Sequence, residues 1–137
     1  MKPSWSDYYL GIAEAASRRS SCSRSKVGAC LVTRHNRVAS LGYNDSPAGG
    51  PGCESCPRRL SGVAPGSSYD AGAGACLALH AEQNALLYAS RDECEGGTLY
   101  ITREPCDGCS RMIRGSGIAR VVTPEGETRY TADGSLT

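Results

Sequence analysis

Two short runs constrain this chain more than anything else in it: His80-Ala81-Glu82, and Pro105-Cys106-Asp107-Gly108-Cys109 further along. One imidazole and two thiolates make three borderline-to-soft donors for Zn²⁺, leaving the fourth tetrahedral position open to water. A closed structural site would place a fourth Cys or His on the metal. Glu82 stands close enough to His80 to handle the proton of that water without itself binding the ion. Residues two apart in a regular helix point about 200° away from each other. His80 and Glu82 therefore converge on one site only if they sit at the first turn of a helix, with the metal off its end. Pro105 in turn stops a strand and leaves Cys106 and Cys109 at the start of the next helix. There the positive end of the macrodipole lowers thiol pKa and favours thiolate ligands. The chain must fold so that two helix N-termini face one ion. The plainer alternatives are a structural zinc knuckle for the cysteines and a satisfied core histidine for His80. Both motifs together, each at a junction into a helix, favour catalysis.

The rest of the sequence supplies a scaffold for such a corner. Residues 4–20 read as a first helix, capped by Ser4 or Ser6, with Asp7 in its first turn. Tyr8, Ile12, Ala15 and Ala16 form its apolar stripe, and Arg18 and Arg19 read as complementing its C-terminal dipole ahead of binding substrate. Residues 27–33 and 37–43 read as two strands joined by a hairpin loop at Arg34-His35-Asn36, where His35 is a solvated loop residue and not a ligand. The first strand, V-G-A-C-L-V, is apolar enough to be buried on both faces. Residues 44–75 are irregular and rich in Gly, Pro and Ser, a length that calls for a function or a staple. Residues 77–90 read as the second helix, with Ala81, Ala85, Tyr88 and Ala89 on one side. A strand at 98–102, a short helix at 107–116 with Met112 and Ile113 inward, and a strand at 118–123 follow. Strand–helix–strand implies a parallel pair. The polar residues 124–137 carry no pattern that assigns an element.

Size and charge narrow the partners. The 137 residues form a single domain with a real core. A net charge of +1 lacks the electrostatic footprint that long nucleic acid requires, whereas a small anion needs only a few basic side chains. No stretch has the length of a signal peptide or membrane span. Four of the eight cysteines form two C-x-x-C pairs, Cys53/Cys56 and Cys106/Cys109, which favours thiolate ligands in a reducing, cytoplasmic setting over secreted disulfides.

Together these residues resemble the cytidine deaminase superfamily, and within it the deoxycytidylate (dCMP) deaminases. The matching pieces are H-A-E-Q-N-A at residues 80–85, P-C-x-x-C at 105–109, Val27-Gly28-Ala29, and Gly42-Tyr43-Asn44 with Pro47 and Gly49. Asn84 is what makes the motif look like the dCMP branch. The resemblance implies a three-layer α/β/α fold with a mixed five-stranded sheet and hydrolytic conversion of dCMP to dUMP with release of ammonia. It also implies residue roles. His80, Cys106 and Cys109 would hold zinc, with Glu82 the catalytic proton carrier. Asn44 would contact the sugar and the Ala81 N–H the pyrimidine O2, and the carbonyls near Arg103 and Glu104 would accept from the exocyclic amine. Arg24, Lys26 and Arg103 would meet the 5′-phosphate. Relatives form homo-oligomers.

Three departures from the family pattern stand out. Asp45 replaces the glycine usual after G-Y-N, in a region that serves nucleotide regulation in allosteric members. Cys53, Cys56 and Cys76 could supply three ligands of a second, structural zinc, but the long loop holds no histidine to complete them; Cys22, Cys94 or an acidic side chain could. The stretch after residue 123 is short and polar for the further strand and helix expected there. Other readings of the same residues are a deaminase of another cytosine nucleoside or modified pyrimidine, a nucleic-acid base deaminase, and a zinc module without turnover.

Overall fold

The computed structural model describes residues 2–22, 25–45 and 79–130. Its elements are α1 (Trp5–Ser17), β1 (Gly28–Val32), β2 (Val38–Tyr43), α2 (Ala81–Leu87), α3 (Arg91–Cys94), β3 (Thr98–Ile101), α4 (Asp107–Ser116), β4 (Arg120–Thr123) and β5 (Gly126–Arg129). The strands form one mixed sheet in the order β2-β1-β3-β4-β5. β1 runs antiparallel to both β2 and β3, β3 and β4 are parallel, and β5 returns antiparallel on β4.

Alternation along the central strands splits the core in two. Ala29, Leu31, Leu99, Ile101 and Val121 face Ala81, Ala85, Cys94 and Ile113 on one side. Cys30, Val32, Tyr100 and Val122 face Tyr9 and Ala13 of α1 on the other. Period-two alternation sends neighbouring residues to opposite faces, so a strand covered on both sides must be apolar throughout. β1 is buried at every position, as its composition predicts. The result is three layers, with α1 on one face of the sheet and α2 to α4 on the other.

Two glycines let the helices close on the sheet. A Cβ at Gly28 would collide with the Ala13 carbonyl oxygen and come within 2.7 Å of the Ser17 nitrogen. At Gly42 it would collide with the Ala81 carbonyl and lie 2.6 Å from the Ala85 nitrogen. The second contact presses α2, and the residues at its start, directly onto β2.

Several elements differ from the sequence expectation. The buried stripe of α1 is Tyr9, Ala13 and Ser17, while Tyr8 and Ala15 are exposed. Small side chains at 13 and 17 permit the approach to Gly28, and the Tyr9 hydroxyl donates to the Asn36 carbonyl at 3.1 Å. The helix predicted over 77–90 begins at Ala81, because Leu79 is extended and exchanges backbone hydrogen bonds with Asp45 at 2.7 and 3.2 Å. It ends by Leu87, and a new helix starts behind a capping box in which Ser90 and Glu93 bond each other's backbone N–H. Tyr88 is exposed in consequence, and so is Met112, whereas Ile113 is fully buried. The polar tail contains β5, an edge strand whose Glu127 pairs with Arg120 and Arg129. Charged side chains suit a sheet edge and discourage pairing with other chains, which is why hydropathy alone does not reveal it. His35 is exposed at the hairpin tip, as expected.

Candidate active site

The corner required by the two motifs forms where α2 and α4 begin side by side. His80 is the N-cap of α2, in extended backbone geometry, and Cys106 is the N-cap of α4. The imidazole Nδ1 lies 3.1 Å from Cys109 Sγ and 3.6 Å from Cys106 Sγ. All three donor atoms fall within 4.8 Å of one another. Zinc–nitrogen and zinc–sulfur bonds of about 2.0 and 2.3 Å at tetrahedral angles place such donors roughly 3.5–3.8 Å apart. The residues present fit the ion.

Burial and charge support the same fit. Cys109 is fully buried and Glu82 is only 4 % exposed. In the protein alone, burial pushes the Cys109 thiol far up, with further upward contributions from the neighbouring Glu82 and Cys106. A thiol and a carboxyl crowded out of water make an unfavourable cluster without a cation and a favourable one around it. Cys106, by contrast, is exposed, so the corner opens to solvent on that side.

Hydrogen bonds orient the corner. The Gln83 side chain accepts from the His80 backbone N–H at 2.7 Å, fixing the turn that aims the imidazole. Asn84 Nδ2 donates to the Tyr43 carbonyl at 2.8 Å, tying α2 to the end of β2. Ala81 is the first residue of α2, and the N–H groups of a helix's first turn lack intrahelical partners.

Next to this corner lies a second group of predicted residues. Asn44 Nδ2 donates to the Ser25 carbonyl at 2.7 Å, and its Oδ1 accepts from the Val27 N–H at 2.8 Å. The Asn44 amide thus holds the segment entering β1 with one of its two N–H groups and one of its two lone pairs. Arg103 reaches the same segment, donating from Nη1 to Ser25 Oγ at 3.0 Å. Lys26 is exposed beside it. The structure therefore brings Asn44, Arg103 and the Ser25-Lys26 segment together at one edge. Arg24 lies outside the described residues, and so do Cys53, Cys56 and Cys76. Sequence reasoning missed Ser25 and the roles of Gln83 and Asn84 as braces. For Gln83 a signal existed, an amide side chain three residues after the N-cap, the spacing of a capping box.

The chain matches the family model described as the cytidine and deoxycytidylate deaminase zinc-binding region over residues 3–125. It is 58 % identical to the deoxycytidylate deaminase of Mycobacterium phage D29 over 125 residues, covering 90 % of this chain and 97 % of that one. The deoxycytidylate deaminase of Schizosaccharomyces pombe is 41 % identical over 135 residues, but this chain spans only 39 % of its length. A crystal structure of dCMP deaminase from cyanophage S-TIM5 in complex with dCMP and dUMP superposes with a TM-score of 0.69 at 32 % identity, covering 90 % of this chain and 82 % of the other.

Proposed function

Because the chain belongs to the cytidine and deoxycytidylate deaminase family, we propose that it hydrolyses dCMP to dUMP with release of ammonia. The observation that carries this reading is the trio His80, Cys106 and Cys109 with the buried Glu82 beside it. His80 Nδ1 and the two cysteine sulfurs would hold one Zn²⁺. Bound there, the ion supplies a Lewis acid that makes water nucleophilic near neutral pH. Glu82 takes a proton from the attacking water and delivers it to the pyrimidine N3 as the oxygen adds at C4. It then carries the second proton to the amine, which leaves as ammonia while the C4 carbonyl forms.

Asn44 contacts the sugar with the donor and acceptor that its bonds to Ser25 and Val27 leave over. The Ala81 N–H reads the pyrimidine O2, and the carbonyls near Arg103 and Glu104 accept from the exocyclic amine. Arg103, Lys26 and Arg24 receive the 5′-phosphate, an arrangement supported by the contact of Arg103 with Ser25. Comparing turnover of dCMP, deoxycytidine, cytosine and CMP tests the assignment. Fastest turnover of dCMP is expected, and faster turnover of deoxycytidine would overturn the nucleotide reading.

Three further features belong to the same proposal. Leu87, Tyr88 and Met112, respectively 63, 68 and 45 % exposed on α2 and α4 or next to them, would be covered in a homo-oligomer. Cys53, Cys56 and Cys76 would hold a second, structural zinc. Thiolate ligands of this kind are kept by a reducing cytoplasm.

A further inference from the structure

The dipeptide after β2 fastens three segments at once. The Asn44 carbonyl accepts from Ser20 Oγ at 2.6 Å, and Ser20 Oγ accepts in turn from the Cys22 N–H at 3.1 Å. The next residue, Asp45, accepts from Ser21 Oγ at 2.5 Å through its carboxylate. Its backbone meanwhile exchanges hydrogen bonds with Leu79, the residue before the metal ligand His80. Residues 20–22, which lead toward the Ser25-Lys26 edge, are therefore pinned to the strand end that is itself bridged to the metal corner. Asp45 is the member of this fastening that joins residues 20–22 through its side chain to Leu79 through its backbone.

We infer that Asp45 is a positioning residue for nucleotide specificity: by gripping Ser21 it holds the cationic edge at a fixed distance from the metal corner, so that a 5′-phosphate is recognised along with the base. The inference rests on the proposed dCMP reading. It also gives a physical use to an aspartate that stands where the family's pattern has glycine, a residue with no side chain to make the grip. Asp45 touches no reacting atom and acts through Ser21. A hydrogen bond to an ionised acceptor in a half-buried setting is stronger than a neutral one. Its loss therefore loosens residues 20–22 without disturbing the ligands His80, Cys106 and Cys109.

The test is equilibrium binding of dUMP and of deoxyuridine to the zinc-loaded protein, compared as a ratio for the parent, Asp45→Ala, Asp45→Asn, Ser21→Ala and the double alanine variant. Asp45→Ala is expected to lower the preference for dUMP about tenfold, the scale of one charge-assisted hydrogen bond, with zinc content unchanged. Asp45→Asn, which keeps a side-chain oxygen acceptor but not its charge, should fall between the parent and Asp45→Ala. Ser21→Ala should match Asp45→Ala, and the double variant should be no worse than either, the mark of one shared interaction. An Asp45→Ala protein that keeps the preference, or a double variant that falls by the product of the two singles, overturns the inference. A parent protein that binds both ligands alike instead removes the nucleotide reading, and this inference with it.

Discussion

The metal corner and the proposed nucleotide edge are joined through the bridge between Asp45 and Leu79, yet they are built by opposite means. The corner is made of helix starts pressed onto the sheet, with Ala81, Cys109 and Ile113 fully buried behind it. The edge consists of exposed or half-buried side chains, Lys26, Arg103 and Asn44; Asn44 bonds the Ser25 carbonyl and the Val27 N–H, and Arg103 bonds the Ser25 hydroxyl. Packing fixes the first and polar contacts fix the second. On the proposed function, the chemistry sits on the packed part, while ligand selection rests on bonds that single substitutions can undo.

Damage to the corner should have the largest effect. Cys109→Ser replaces a buried soft ligand, and we expect zinc and ammonia release to be lost together, read by metal analysis alongside turnover. Next comes Gly42→Ala, which touches no ligand. Its methyl group would meet the Ala81 carbonyl, so a loss of about 2–4 kcal/mol in urea unfolding is expected, with zinc bound less tightly as α2 is displaced. At the edge the effects should be smaller and selective. Arg103→Ala should raise KM for dCMP about fivefold, leaving kcat and the KM for deoxycytidine nearly unchanged, since one exposed cation contributes about 1 kcal/mol. An equal rise for both substrates would place Arg103 outside the phosphate site.

Smallest is an effect in the core between the sheet and α1, away from both regions. Burial pushes the Cys30 thiol up to about 11, above its usual value near 8.5 in an unfolded chain. Between those values the unfolded chain gives up a proton that the fold retains, so this contribution is fully present below about pH 8.5 and is lost as pH rises toward 11. Replacing Cys30 by Ala should flatten the decline in unfolding midpoint between neutral and alkaline pH.

The same contrast explains what could be read from the sequence. His80, Glu82, Cys106 and Cys109 are rare residue types at spacings that only a helix start can reconcile, and the structure puts both N-caps at that place. The central strands announced themselves by continuous apolar runs. The phase of α1 did not, because the contact that decides it, Gly28 against Ala13, joins residues far apart in the chain. β5 is an edge strand and carries no hydropathy pattern. Asn44 is visible as a motif residue, but its hold on Ser25 and Val27 depends on a turn that only the folded chain makes. Ser21 is an ordinary polar residue, and Asp45 shows only as a departure from the family pattern, until the fold places them together.

The central claim is that Glu82 moves protons beside a metal held by His80, Cys106 and Cys109. The most direct measurement is ammonia release and zinc content of Glu82→Gln, a substitution that keeps shape and removes the proton carrier. The account predicts a protein that keeps its zinc and loses turnover by about 10³-fold or more, within the range for a general acid–base group. Turnover close to that of the parent would contradict the proton-carrying role, and loss of the zinc would make Glu82 a support of the metal site instead.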